Sequence, residues 1–135
     1  MHSPLGVKLP IREIPGFETV SDLIPEGNLM RFTAVWALRL ERYIGPGFEL
    51  HRRLVLDLAE SFELDSRPLI RLSLLEPRQC SIPDDEQILG LAVEDLRSCG
   101  MEGIRFCVYD YEEMSGLDVL CAALELSRAS KPDYP

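Results

Sequence analysis

The chain has 135 residues, of which 46% are hydrophobic, and it carries a formal net charge of −9. This length is typical of a single domain that buries a core, and the hydrophobic fraction argues against a disordered chain. No apolar run approaches the roughly 18 residues that a bilayer span requires. Three prolines interrupt residues 1–15, where a signal peptide would need a continuous apolar segment. The sequence therefore predicts a soluble, cytoplasmic protein that does not bind membranes.

The first part of the chain has no steady hydrophobic period. Residues 1–28 are rich in proline and predict an extended arm laid over the body, with a short helical turn at 17–24 that Pro25 ends. The rest divides into a β core at 29–127 and a tail at 128–135. We expect these segments to form one domain, 1–135.

After the arm, apolar and polar residues alternate with a period of two. This pattern predicts strands at 32–41 and 48–58, joined by a Gly-Pro-Gly turn at 45–47. A third strand is predicted at 69–76, because the following Pro77 lacks the N–H that a central strand needs. Two prolines and three consecutive acidic residues in 77–87 predict a loop.

Further strands are predicted at 88–96 and 104–111, separated by a turn at 98–100. The stretch 117–126 fits a helix or a strand; a strand is favoured because a short glycine-containing turn after a strand usually begins a hairpin. Six or seven strands predict a mainly β fold, either an antiparallel sandwich or a partly open barrel. The residues predicted to form the core are Phe32, Trp36, Leu38, Leu54, Leu56, Leu72, Leu91, Phe106 and Val108.

No catalytic or metal-binding motif is present in the sequence. There is no G-x-S-x-G, no H-E-x-x-H, no Gly-rich phosphate loop and no C-x-x-C pair. His51 alternates with leucines on the polar face of a strand, and we expect Cys107 and Cys121 to be small buried hydrophobes. The acidic run 84–86 lacks the spacing of a calcium loop and predicts a solvated turn. We predict a protein that is not an enzyme and that holds no cofactor and no metal.

Negative charge gathers in the second half of the chain. Twelve of the 23 acidic residues, but only four of the 14 basic ones, lie from Asp84 onward. The electrostatic field of clustered negative charges attracts basic surfaces and repels nucleic-acid phosphate.

Within the predicted strand 104–111, Phe106 and Val108 should face the core, so the tyrosines that alternate with them should face outward beside the acids. The predicted partner-binding residues are Glu102, Tyr109, Asp110, Tyr111, Glu112 and Glu113. Exposed tyrosine beside carboxylates suits contact with a basic protein. An ordinary hairpin with cross-strand tyrosines remains the alternative.

The carboxyl half resembles a group of small bacterial β-rich proteins. The likeness spans 88–127 and consists of a strand at 88–96, the Glu-Gly-Ile-aromatic strand and acidic turn at 102–113, and a closing strand with Cys121. That group includes predicted immunity proteins of polymorphic toxin systems. The resemblance implies a binding role and brings no catalytic residues with it.

The leading hypothesis from the sequence is a non-enzymatic cytoplasmic domain that binds another protein, and neutralisation of a basic toxin is its narrower form. A small-ligand binder or an enzyme with a pocket lined by carboxylates and tyrosines is a second reading. A structural subunit that forms a homodimer is a third, because an exposed strand edge readily pairs with its twin.

Overall fold

Two antiparallel β-sheets make up the computed structural model, which describes residues 6–63, 66–81, 90–97, 102–110 and 116–129. The strands are β1 (Val7–Lys8), β2 (Ala34–Ile44), β3 (Leu50–Ala59), β4 (Ile70–Leu75), β5 (Arg78–Ser81), β6 (Leu91–Asp95), β7 (Phe106–Asp110), β8 (Asp118–Cys121) and β9 (Ala123–Arg128). One sheet has the order β2-β3-β4-β9 and the other β1-β6-β7-β8-β5. The predicted mainly β fold is confirmed, as an open sandwich rather than a closed barrel.

The core lies between the two sheets because one side chain in two points inward along each strand. From the four-stranded sheet it takes alternate leucines such as Leu54, Leu56 and Leu72, and from the other sheet Val93 and Val108. All of the predicted core residues are buried except Trp36 and Leu38, which are partly buried.

The prediction that Trp36 belongs to the core is wrong, and a β-bulge in β2 is the reason. Val35 pairs with Leu58 and Ala37 pairs with Asp57, so the register shifts around Trp36. Val35 takes the buried position. The indole instead stacks on the ring of Phe62, with 5.6 Å between the centroids. The extra residue of a bulge interrupts the simple alternation that the sequence suggested.

The ambiguous stretch 117–126 is extended, as predicted, but it forms two strands rather than one. β8 ends at Cys121 and β9 begins at Ala123, and the two belong to different sheets. The single residue Ala122 thus carries the chain from one layer of the sandwich to the other.

The prediction of a loop at 77–87 is wrong for Arg78–Ser81, which form the strand β5. β5 pairs with β8 at the edge of the five-stranded sheet, with an irregular register between Arg78 and Ser81. Gln79 has a φ of 50°, and all four residues of β5 are exposed. A short exposed edge strand has no alternation of apolar and polar residues, so the pattern could not reveal it. Residues 82–89, which include the acidic run, lie outside the described residues.

The arm predicted at the start of the chain packs against both sheets. Val7 pairs with Asp95 of β6, and Ile11 and Ile14 are buried in the core. Pro15 accepts a hydrogen bond of 2.8 Å from the backbone N–H of Leu126. The expected helical turn is a single 3₁₀ turn at Phe17–Thr19, which follows another at Ile11–Glu13. Within the described ranges, no helix has the length and hydropathy of a membrane span.

Candidate protein-binding surface

The predicted acidic surface is only partly described by the structure. Glu102 lies in an exposed turn. Tyr111, Glu112 and Glu113 lie outside the described residues. The expectation that Tyr109 and Asp110 face outward is wrong, because they are 7% and 0% exposed.

The burial of Tyr109 follows from the position of β7 in the middle of its sheet. Phe106 and Val108 enter the main core, and on the opposite face Cys107 and Tyr109 pack in a second apolar cluster with Ala92. Both faces of β7 are therefore covered. A strand that is buried on both sides cannot present its tyrosine to a partner.

A different surface is exposed at the end of the β2–β3 hairpin. Four large apolar side chains there are at least half exposed: Leu40 at 51%, Ile44 and Leu50 at 62%, and Phe48 at 89%. Ile44 pairs with Leu50 just before the turn. We call these four residues, together with Arg42 and Arg52, the hairpin end. Several exposed apolar groups at one end of a hairpin mark an interaction site more often than single ones do.

The hairpin end is exposed because the hairpin is longer than the sheet beside it. Pairing of β3 with β4 stops at Arg53 opposite Leu75. Leu50 lies beyond that point but on the same face as Leu54 and Leu56, because side chains alternate along the strand. The inward-facing apolar stripe therefore continues past the core, where the paired neighbour β4 has already ended.

The turn holds Phe48 in a conformation that L-residues rarely adopt. Its φ is 64°, in the left-handed region, and its backbone N–H donates to the carbonyl of Gly45 at 3.0 Å. The Gly45 N–H donates in turn to the carbonyl of Glu49 at 2.8 Å. Glycine is the residue that this conformation favours. An exposed phenylalanine at such a position contributes nothing to the core.

Two arginines lie side by side in the apolar stripe. Arg42 pairs directly with Arg52, between the apolar pairs formed by Leu40 with Leu54 and by Ile44 with Leu50. Both arginines are exposed, and Arg52 donates from Nη2 to the carbonyl of Pro77 at 3.1 Å. Like charges directly opposite each other are unfavourable. A carboxylate placed between them would relieve the repulsion.

The other face of the hairpin is fixed by His51. Its Nε2 lies 3.0 Å from Oε1 of Glu49 and its Nδ1 lies 2.7 Å from Oε1 of Glu76, which follows β4. The imidazole also stacks on Tyr43, with 5.3 Å between the ring centroids. Hydrogen bonds to Glu49 and then to Glu76 raise the pKa of His51, and the same bond lowers the pKa of Glu49. The histidine thereby ties the protruding end to the body of the sheet.

The solvent-facing side of the four-stranded sheet carries an ion-pair network. The fully buried carboxylate of Asp57 accepts from Nε and Nη2 of Arg71, at 2.7 and 3.1 Å, and from Nη1 of Arg39 at 3.0 Å. Next to it, Nε of Arg53 donates to Glu41 at 2.9 Å. We call this region the polar sheet face.

The two buried thiols, those of Cys107 and Cys121, are poor nucleophiles. Burial raises the pKa of Cys121 to about 12. Burial and, after it, a hydrogen bond to Asp118 at 3.2 Å raise the pKa of Cys107 further. Both thiols stay protonated at neutral pH, as befits the buried hydrophobes that the sequence predicted. Over the ranges that the structure describes, no three His, Cys, Asp or Glu side chains cluster as metal ligands would.

No protein-family model matches the chain, and searches of curated proteins and of solved structures found no significant match. What bears on function is therefore the geometry of the chain itself. The sequence did contain a signal for the hairpin end, since Phe48 directly follows the Gly-Pro-Gly turn. The alternation places Leu40 and Leu50 in strands, but it does not show where the neighbouring strand stops and so does not predict their exposure.

Proposed function

We propose that the chain is a non-enzymatic domain that binds another protein, and that the hairpin end is its contact surface. The observation that carries this proposal is the 89% exposure of Phe48 at a left-handed position. Exposed aromatic groups beside arginine are typical of the residues that dominate binding energy in interfaces. The rigid backbone of the two long strands keeps the entropic cost of ordering this surface low.

The charges of the chain suggest the chemistry of the partner. A net charge of −9 accelerates encounter with a protein that is basic overall. At the contact itself, the paired Arg42 and Arg52 suit a carboxylate set among apolar side chains. Neutralising a basic toxin, as an immunity protein does, is the narrower form of this proposal, and the resemblance of the carboxyl half supports it.

Affinity capture from the native host tests the proposal when wild type and variants are compared. Ile44→Ser with Leu50→Ser, and separately Phe48→Gly, should lose the partner that the wild type retains. Met30→Ser is the matched control, because Met30 is an exposed apolar residue, at 46%, outside the hairpin. If the hairpin variants capture the same partner as the control does, the hairpin end is not the contact surface.

The narrower role needs a second measurement with the captured partner. Expression of that partner alone should arrest growth of the host, and co-expression of the wild-type chain should restore it. Co-expression of the Ile44→Ser, Leu50→Ser variant should restore it poorly. A partner that is harmless on its own would rule out toxin neutralisation while leaving the protein-binding role intact.

A further inference from the structure

One edge of the four-stranded sheet is longer and less protected than the other sheet edges. β2 is the outermost strand there and has 11 residues, and in the described part of the chain it has no backbone partner besides β3. β9, at the opposite edge, is covered by the arm through the hydrogen bond from Leu126 to Pro15. The edge strands of the other sheet, β1 and β5, have only two and four residues. Sheets keep their edges short or covered because a long open edge pairs with other strands.

The outward-pointing backbone groups of β2 belong to alternate residues. The carbonyl of Arg52 accepts a hydrogen bond from the backbone N–H of Glu76 at 2.9 Å, so the backbone groups of Arg52 face β4 rather than β2. Arg42 pairs with Arg52, and in an antiparallel ladder it must then point its own groups away from β3. The register has no shift between the bulge and the turn. The N–H and C=O groups of Leu38, Leu40 and Arg42 therefore point outward from the sheet.

The sequence of β2 is complementary to itself in one antiparallel register. With Leu40 opposite its own copy, Arg39 lies opposite Glu41 on both sides of the two-fold axis. Leu38 then lies opposite Arg42, so the outward backbone groups of the two strands meet. A centre at Arg39, Glu41 or Arg42 would oppose that charged residue with its own copy, and like charges directly opposite each other are unfavourable. A centre at Leu38 would carry the pairing into the bulge.

We propose that the chain forms a symmetric homodimer through the outer edge of β2, with Leu40 at the two-fold axis. The sequence allowed a homodimer through any exposed edge, and the fold singles out this one. Leu40 is 51% exposed in the single chain and would be covered by its own copy. The guanidinium of Arg39 is oriented by Asp57 at 3.0 Å. The carboxylate of Glu41 is oriented by Arg53 at 2.9 Å. The charges that meet across the axis are thus already held in position.

The homodimer goes beyond the proposed function, because it needs no other protein. Leu40 and Arg42 belong both to the hairpin end and to the paired segment of β2. That segment ends at Arg42, so Ile44, Phe48 and Leu50 stay exposed in the dimer. Antiparallel pairing about Leu40 points the two hairpin ends in opposite directions, and each could hold its own partner. Only a short stretch of each chain takes part, and such small interfaces are weak.

Analytical ultracentrifugation of the full chain tests the dimer. We expect the average mass to rise from that of a monomer toward that of a dimer as the concentration increases to about 0.5 mM, as a weak interface requires. Leu40→Pro removes one outward N–H and no hydrogen bond to β3, so it should lower the association constant at least tenfold. Phe48→Gly, the control at the hairpin end, should associate as the wild type does. A chain that stays monomeric, with its edge left to solvent or to a strand of another protein, would overturn the proposal, and so would a dimer that Leu40→Pro does not weaken.

Oxidative cross-linking tests the register, and it decides the question if circular dichroism shows that Leu40→Pro does not fold. Single cysteines are introduced together with Cys80→Ser and Cys99→Ser, because the two remaining thiols are buried. Opposed residues of a hydrogen-bonded antiparallel pair have Cα atoms about 5.5 Å apart, which a disulfide can span. Leu40→Cys should therefore form covalent dimers. Arg42→Cys, whose two copies are displaced along the strands, should form at least fivefold fewer. Equal yields from the two variants would overturn the proposal.

Discussion

The imidazole of His51 lies 2.7 Å from the carboxylate of Glu76, a residue whose φ of 54° places its own backbone in the left-handed region. The other ring nitrogen faces Glu49 at 3.0 Å. Both nitrogens can donate only when the ring is protonated, since a neutral imidazole has one donor and one acceptor. The contact between hairpin and sheet is therefore complete only while His51 carries its proton.

This arrangement predicts a pH dependence of stability. Because the pKa of His51 is raised on folding, its stabilising contribution is fully present below the unfolded value of about 6.5 and is lost as pH rises through the folded value. An NMR titration of the His51 ring protons should give a midpoint above that of an unfolded histidine. Glu76→Gln should lower the midpoint, and Glu102→Gln should leave it unchanged. A midpoint at or below the unfolded value would contradict the prediction that folding raises the pKa of His51.

Phe48→Gly should weaken binding of the partner without lowering the stability of the fold. Glycine relieves the left-handed strain, which costs an L-residue about 1–2 kcal/mol, and removes almost no buried surface. The free energy of unfolding in urea should therefore stay the same or rise, while affinity for the partner falls. A variant that loses stability would show that the phenylalanine has a structural role instead.

Asp57→Asn should destabilise the fold by about 2–3 kcal/mol, because hydrogen bonds to charged groups are worth about 1.5–3 kcal/mol and two guanidinium groups lose their counter-charge. Urea unfolding measures the change. Asp22→Asn is the control, since Asp22 forms an ion pair with Arg128 but is 66% exposed. The control should unfold like the wild type. Equal stability of the two variants would mean that the network around Asp57 is not structural.

Replacing Glu102, Glu112 and Glu113 together with glutamine tests the predicted acidic surface. If these charges steer a basic partner, association should slow and its dependence on ionic strength should flatten, with little change in dissociation. Surface-based kinetics at two salt concentrations measures both rates. If the association and dissociation rates are unchanged at both salt concentrations, these residues do not take part in binding.

Phe106→Ala should cost about 3–5 kcal/mol, the usual range for deleting a buried ring. Phe62→Ala removes a ring that is 40% exposed and stacked on Trp36, so it should cost about 1 kcal/mol. Chemical denaturation of both variants gives the comparison. Similar losses would indicate that the surface stack contributes as much as the core.

The alternation of side chains was sufficient to predict the β2–β3 hairpin, the strand β4 and most of the core. It could not place Trp36, because a bulge adds a residue without changing the composition of the strand. It also could not separate β8 from β9, since the change of sheet at Ala122 depends on where the two layers lie.

The candidate surfaces were harder to predict for a related reason. The sequence alone could not show that Tyr109 is covered, because exposure on the second face of β7 depends on what packs against it. The position of β2 at an edge follows from the order of the strands in its sheet. The exposure of the hairpin end arises because β4 ends earlier than its neighbour. None of these relations is local in the sequence.

The docking of the arm has a consequence for synthesis on the ribosome. Val7 and Pro15 contact Asp95 and Leu126, which are translated far later. Residues emerge from the exit tunnel in order. The apolar side chains of the arm therefore leave it long before the strands that they pack against have been synthesised. Long-range pairing of this kind is slow and leaves apolar surface open to aggregation. Nascent chains that stall before β9 should therefore bind chaperones, and they should become resistant to protease only after β9 has emerged.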